Sequence, residues 1–139
     1  MRHLFIINPA AGKRGSTARL EERLDRLSFP HEVAYTRTAG DAWRLAGEAV
    51  RSGEPVRIYA CGGDGTLNEV VNGAAGHPHA AVTNVPKGTG NDFLKMFGPD
   101  YRTLFYDLEA LAAGPQTPFD LIDCNGLLGL DVVCVEWRE

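Results

Sequence analysis

Cys61-Gly62-Gly63-Asp64-Gly65-Thr66-Leu67-Asn68-Glu69 follows an apolar run from Val56 to Ala60 and leads into a short amphipathic run carrying Leu67, Val70 and Val71. This reads as a strand that ends in glycines and enters a helix. Glycine brings backbone close to a ligand with no Cβ in the way. The N–H groups of such a turn, with those of the helix start, form an anion site. Asp64 inside an anion site would repel phosphate unless a cation lay between them. Asp64 therefore suggests a bound Mg2+ or a lysine partner, and so a phosphoryl-transfer site, in which Asp64 reaches the metal through water.

A second glycine loop, Pro86-Lys87-Gly88-Thr89-Gly90-Asn91-Asp92-Phe93, follows another apolar run from Ala80 to Val85. Parallel strands bring such loops to one sheet edge. There the two could close on a single nucleotide.

The rest of the chain repeats the same alternation. Leu4 to Ile7 reads as a buried strand and Ser16 to Leu27 as a helix with Leu20, Leu24 and Leu27 on one face. Glu32 to Thr36 is a short strand. Asp41 to Arg51 is a helix with an apolar stripe of Ala42, Leu45, Ala46, Ala49 and Val50. Thr66 to Asn72 is expected to be helical, with Gly73 as its stop. Asp92 to Phe97 and Tyr101 to Ala113 follow as helices. Phe119 to Cys124 and Leu128 to Val135 read as strands joined by an Asn125-Gly126 hairpin turn. The fold class expected is α/β: a three-layer, mainly parallel, Rossmann-like sheet with helices on both faces. Leu4 to Ile7, Val56 to Ala60 and Ala80 to Val85 are expected at its buried centre.

Several classes are excluded. The chain has 139 residues, 44% of them hydrophobic, which suits one globular domain. No apolar stretch has the length of a membrane span. The opening apolar run is too short for a signal peptide, so the cytoplasm is the expected location. Cys61, Cys124 and Cys134 have neither disulfide nor metal spacing. The net charge of −4 is unevenly spread. The basic first half suits approach to ATP or an anionic membrane, although arginines such as Arg19, Arg23 and Arg26 beside Glu22 and Asp25 also read as a solvated helix face. No basic patch with interleaved aromatics marks a nucleic-acid binder. The loop from Asn8 to Gly15 lacks the glycine triplet of a dinucleotide-binding dehydrogenase.

Taken together, Gly62-Gly63-Asp64-Gly65-Thr66-Leu67-Asn68-Glu69-Val70-Val71-Asn72-Gly73 and Pro86-Lys87-Gly88-Thr89-Gly90-Asn91-Asp92-Phe93 resemble the diacylglycerol kinase catalytic domain, the family of bacterial lipid kinases and sphingosine kinases. Asn8-Pro9-Ala10-Ala11-Gly12-Lys13 is similar to that family's opening loop. Thr36-Arg37-Thr38-Ala39-Gly40-Asp41-Ala42 is similar to its segment between second strand and second helix. The resemblance implies ATP and Mg2+ as cofactors and a lipid hydroxyl, such as that of diacylglycerol, as acceptor at a membrane surface. It also implies a peripheral association with the inner face of the membrane. The domain organisation it implies is an ATP-binding domain over residues 1–115, then a hairpin over 116–139 that begins a further β-rich domain. In the family, the catalytic base and a structural metal site belong to that later domain. This chain alone is therefore expected to have little turnover, and its exposed C-terminal strands to pair with a second copy. Two other readings stay open: a non-catalytic nucleotide-binding module, and a soluble kinase like NAD kinase or 6-phosphofructokinase. The second glycine loop has the lipid-kinase form, where those soluble enzymes differ.

Candidate site residues follow. Asp64 and Asp92 are the expected catalytic and metal-organising carboxylates, although Asp92 equally suits a helix cap. Gly62, Gly63 and Gly65 form the phosphate turn together with Thr66 and Leu67. Thr66 either donates its hydroxyl to phosphate or caps the helix. Asn68 lies one turn further, near enough to face a nucleotide, whereas Glu69 reads as pointing to water. Lys13 can reach phosphate as a point charge or lie in solvent. By resemblance, Asn8, Gly12, Gly88, Thr89 and Asn91 contact the nucleotide, and Thr36 lies near its adenosine half.

Overall fold

The computed structural model describes residues 1–87, 92–95, 97–116, 122–124 and 127–129. Four strands form an all-parallel sheet in the order β2-β1-β3-β4: β1 (Arg2–Ile7), β2 (Glu32–Tyr35), β3 (Val56–Gly62) and β4 (Ala80–Pro86). Helices α1 (Ser16–Asp25), α2 (Asp41–Val50) and α3 (Asp64–Ala74) make the successive crossovers. Beyond β4 come α4 (Asp92–Lys95), α5 (Tyr101–Tyr106) and α6 (Leu108–Ala113). A separate antiparallel pair, β5 (Ile122–Cys124) and β6 (Leu127–Gly129), brings β6 against α3.

Alternation along the central strands sorts the core into two layers, as side chains of a strand must. Leu4, Ile6, Val56, Ile58 and Ala60 face α2 and α3, meeting Ala42, Ala46, Val50, Leu67, Val70 and Val71. Phe5, Ile7, Tyr59 and Cys61 face the other way, against Leu20 and Leu24 of α1 and Leu108 of α6. The expected three-layer α/β architecture is thus present, with β1 and β3 at its centre.

Five expectations need correction. Among the described residues β4 is an edge of the sheet rather than part of its middle, and Ala80 to Thr83 are only half-buried. The helix after β3 begins at Asp64, not Thr66, with Gly63 as its cap residue. A carboxylate in the first turn suits the positive end of the helix dipole. Gly73 does not stop α3, which runs to Ala74; the left-handed residue is Gly76. The span from Tyr101 to Ala113 is two helices. Asp107 separates them, its carboxylate accepting Ala110 N–H at 3.0 Å to cap α6. Phe97, expected inside the short helix at Asp92, lies in a turn beyond it, its N–H donating to Leu94 O at 3.0 Å. Of the two expected terminal strands, residues 119–121 and 130–135 lie outside the described residues.

Candidate functional site

The sheet is parallel, so all its strands end on one edge. Backbone bonds extend the ladder one residue past three of them. Thr36 N–H donates to Ile7 O at 2.9 Å, Asn8 N–H to Cys61 O at 3.0 Å and Lys87 N–H to Gly62 O at 3.2 Å. Thr36, Asn8, Gly62 and Lys87 therefore form a row along the C-terminal edge, where open α/β sheets bind ligands.

Asn8 binds in two directions. Its Oδ1 accepts Ala10 N–H at 3.0 Å, which turns the chain away from β1. Its Nδ2 donates to Thr66 Oγ1 at 3.3 Å, linking the first loop to the first turn of α3. Thr66 is 7% exposed, and its hydroxyl lies over Gly62. A Cβ on Gly62 would run into that hydroxyl, so Gly62 is a packing requirement. Gly12 has φ +82°, in the left-handed region, and a Cβ there would strike the Lys87 carbonyl. The first loop, the start of α3 and the end of β4 are thus mutually in contact.

The first intrahelical bond of α3 is Leu67 N–H to Gly63 O at 3.1 Å, so the N–H groups of Gly65 and Thr66 precede it. A helix's opening N–H groups have no acceptor within the helix, and the dipole adds positive potential there. Gly65 is exposed, its φ lies outside the left-handed region, and a Cβ would meet no heavy atom within 4 Å. Among the described residues, neither conformation nor packing calls for glycine at this position. Half-buried Asp64 stands beside it.

Other candidates take different places. Leu67 is 2% exposed in the core, and its N–H is used by Gly63, so it serves the seating of α3 on the sheet. Asn68 is half-buried, and its carbonyl accepts Asn72 Nδ2 at 2.7 Å. Lys13 is exposed on the loop after β1. Gly88, Thr89 and Asn91 lie outside the described residues, and Asp92 opens α4.

Three side chains have roles that the sequence reading missed. Glu69 does not point to water: its Oε1 accepts Gly40 N–H at 3.1 Å, tying α3 to the start of α2. Asp41 accepts Arg37 N–H at 2.7 Å and Thr38 N–H at 3.1 Å. These bonds hold its carboxyl below the usual range and fix the Thr36 to Gly40 loop. The third is Lys87, 8% exposed, whose Nζ donates to Ala11 O. Removal from water pushes its pKa down. Burial likewise raises the Cys61 thiol, which is inert behind the edge. The only local signal for Lys87 was a lysine at the end of an apolar strand; Glu69 had none.

This edge can hold an anion with backbone amides while a carboxylate stands beside it. The chain also matches known proteins over the same span. A diacylglycerol kinase of Bacillus subtilis (strain 168) is 33% identical over 129 residues, which are 90% of this chain and 42% of that protein. A diacylglycerol kinase of Staphylococcus carnosus (strain TM300) is 40% identical over 96 residues, 66% of this chain and 31% of the relative. A crystal structure of a diacylglycerol kinase from Bacillus anthracis str. Sterne has a TM-score of 0.70 and 27% identity, covering 91% of this chain and 45% of that one. The chain therefore spans less than half the length of each. The sequence profile of the diacylglycerol kinase catalytic domain matches residues 2–124, which include every strand and helix that builds the edge, and the chain belongs to that family.

Proposed function

We propose that this edge binds ATP with Mg2+ and serves transfer of the γ-phosphoryl group to a lipid hydroxyl such as that of diacylglycerol. The observation that carries the reading is Gly65. It lacks a side chain where the described residues leave open space, at the amino end of an eleven-residue helix. A phosphate approaching those amides needs that space. The names of the relatives support the reaction class and the lipid acceptor.

Roles follow from placement. The amides of Gly65 and Thr66 would hold phosphate oxygens. Asn8 fixes the Thr66 hydroxyl at 3.3 Å, and so the side chain nearest those amides. Lys13, exposed on the adjoining loop, would add a mobile positive charge. Thr36 stands further along the edge, two strands from β3, where the nucleoside half would extend. Gly62, Gly63 and Gly12 shape the backbone around the phosphates, and Asn68 flanks them. Gly88, Thr89 and Asn91 would close the site from the second loop.

The metal fits as a partner of the substrate rather than as a caged ion. Among the described residues no three His, Cys, Asp or Glu side chains gather as a metal site. Mg2+ keeps several waters and takes one or two carboxylates plus phosphate oxygens. Asp64, with Asp92, would hold that hydrated ion. Bound there, ATP supplies the transferable phosphoryl group, and Mg2+ neutralises charge on its phosphates. The chain's own work is to align the phosphates and exclude competing geometries.

Thermal unfolding with and without millimolar ATP–Mg2+ tests the reading. Saturation at a hundred times Kd would add about 2.7 kcal/mol of stability. Asp64→Ala should lose the Mg2+-dependent part of the shift. A folded chain whose midpoint does not move with nucleotide would refute the proposal.

A further inference from the structure

Lys87 is the first residue beyond β4, and its side chain is largely covered by the protein. Lysine normally keeps its charged end in water on a flexible stem. This side chain is 8% exposed and turns back to donate to Ala11 O. Ser16 Oγ donates to the same carbonyl at 3.4 Å. Among the described residues no carboxylate forms an ion pair with Lys87. Its backbone is engaged as well. Its N–H donates to Gly62 O at 3.2 Å, and its carbonyl lies against Gly12, where a Cβ would collide. One residue therefore holds the first loop by its side chain and the end of β3 by its amide, while its carbonyl packs against Gly12.

Fold stability alone is a poor reason for this arrangement. A buried cation with one carbonyl acceptor is worse solvated than an apolar side chain of similar volume would be. What the ammonium supplies is a fixed distance. The loop it grips runs from Asn8 to Gly15, carries Lys13 and faces the start of α3 through the Asn8 to Thr66 bond.

We propose that Lys87 is a positioning residue that pins the Asn8–Gly15 loop to the ends of β3 and β4, and so presets the gap in which nucleotide phosphates are held. The inference rests on the nucleotide reading above. A loop that is already ordered need not be ordered by the ligand, so the tether contributes affinity without touching phosphate.

Lys87→Met tests this with two separate readouts. Hydrogen exchange of the Ala10 to Ser16 amides, measured without ligand, should rise about tenfold or more while amides of β1 and β3 stay protected. ATP–Mg2+ affinity should fall about tenfold, the loss expected when a charged hydrogen bond is removed from the free protein's loop. The thermal midpoint without ligand should hold or rise, which a merely structural lysine would not allow. Lys87→Arg keeps a cationic donor and should retain slow loop exchange; it carries the test if the Met variant fails to fold. Unchanged loop exchange in Lys87→Met, or fast exchange in Lys87→Arg, overturns the tether. Faster exchange with unchanged affinity overturns its role in the site. If the wild-type chain binds no nucleotide, the functional reading falls, and the exchange experiment still decides whether Lys87 holds the loop.

Discussion

A glycine in the opening turn of a helix lowers that helix's stability, because it loses more backbone freedom on folding than any other residue. The glycines nearby have structural reasons of their own: Gly62, at the end of β3, lets Thr66 lie over it, and Gly12, in the first loop, has a left-handed backbone against Lys87. Gly65 does neither. Gly65→Ala should therefore stabilise the unliganded fold by roughly 0.5 kcal/mol, through the reduced entropy of the unfolded chain. The same methyl group would stand in the space assigned to phosphate, so the midpoint shift with ATP–Mg2+ should shrink or vanish. Urea denaturation of both proteins, with and without nucleotide, separates the two effects. A variant that is more stable and still binds as well as the wild type would remove the main support for the phosphate site.

At the scale of elements, the crossing of α2 and α3 depends on Gly73. A Cβ there would strike the Trp43 carbonyl and lie 2.9 Å from Ala46 Cβ and 3.0 Å from Gly47 N. Helix propensity alone would make Gly73→Ala stabilising by about 1 kcal/mol. Forcing a methyl into a closed crossing costs about 1–3 kcal/mol. Two of the contacts are with backbone and the third with a Cβ fixed to it, none of which can rotate aside, so a net loss of about 1 kcal/mol is expected. A gain in denaturation midpoint would show that the helices separate freely. The same glycine marks where sequence reading stops working. Strands and helices up to β4 were legible because apolar periodicity and capping residues are local signals, and the glycine turns were legible because they cluster. Gly73 looked like a helix end because its partner, the α2 backbone, is distant in sequence. Asp107 broke a helix that periodicity joined, through a cap formed with Ala110. A capping role for Thr66 stayed open in the sequence; the helix begins two residues earlier, and the Thr66 hydroxyl accepts from Asn8, which is distant in the chain. Lys87 and Glu69 were opaque for one reason: each bonds a loop far away in the chain.

For the whole molecule, stability against pH should fall in two stages as acid is added. The first belongs to His3. Its Nδ1 lies 2.7 Å from the Tyr59 hydroxyl, and its ring is 4.6 Å from Phe29. Burial, then the positive charge of Arg57, the amino terminus and His31, hold its pKa below the ordinary 6.5. Tyr59 is pushed up to about 12 by burial, so its phenol stays protonated and can donate to the neutral imidazole. Above pH 6.5 His3 is neutral in both folded and unfolded chains, and its contribution is complete. As pH falls from 6.5 through the lower folded value, the unfolded chain takes up the proton first, so stability is lost across that window. The second stage belongs to carboxylates. Glu32 is lowered by its bond from Arg2, Asp41 by the Arg37 and Thr38 amides, and Glu109 by Ser28. Their contributions are present above the ordinary values of 3.8 for Asp and 4.5 for Glu, and are lost as pH falls through the lower folded ones. Urea midpoints measured from neutral pH into acid should therefore show a shallow decline beginning just below 6.5, then a steeper one below about 4. His3→Gln should abolish the shallow decline and leave the steep one in place. If the early decline survives in His3→Gln, the imidazole beside Tyr59 is not its source, and another group must take up that first proton.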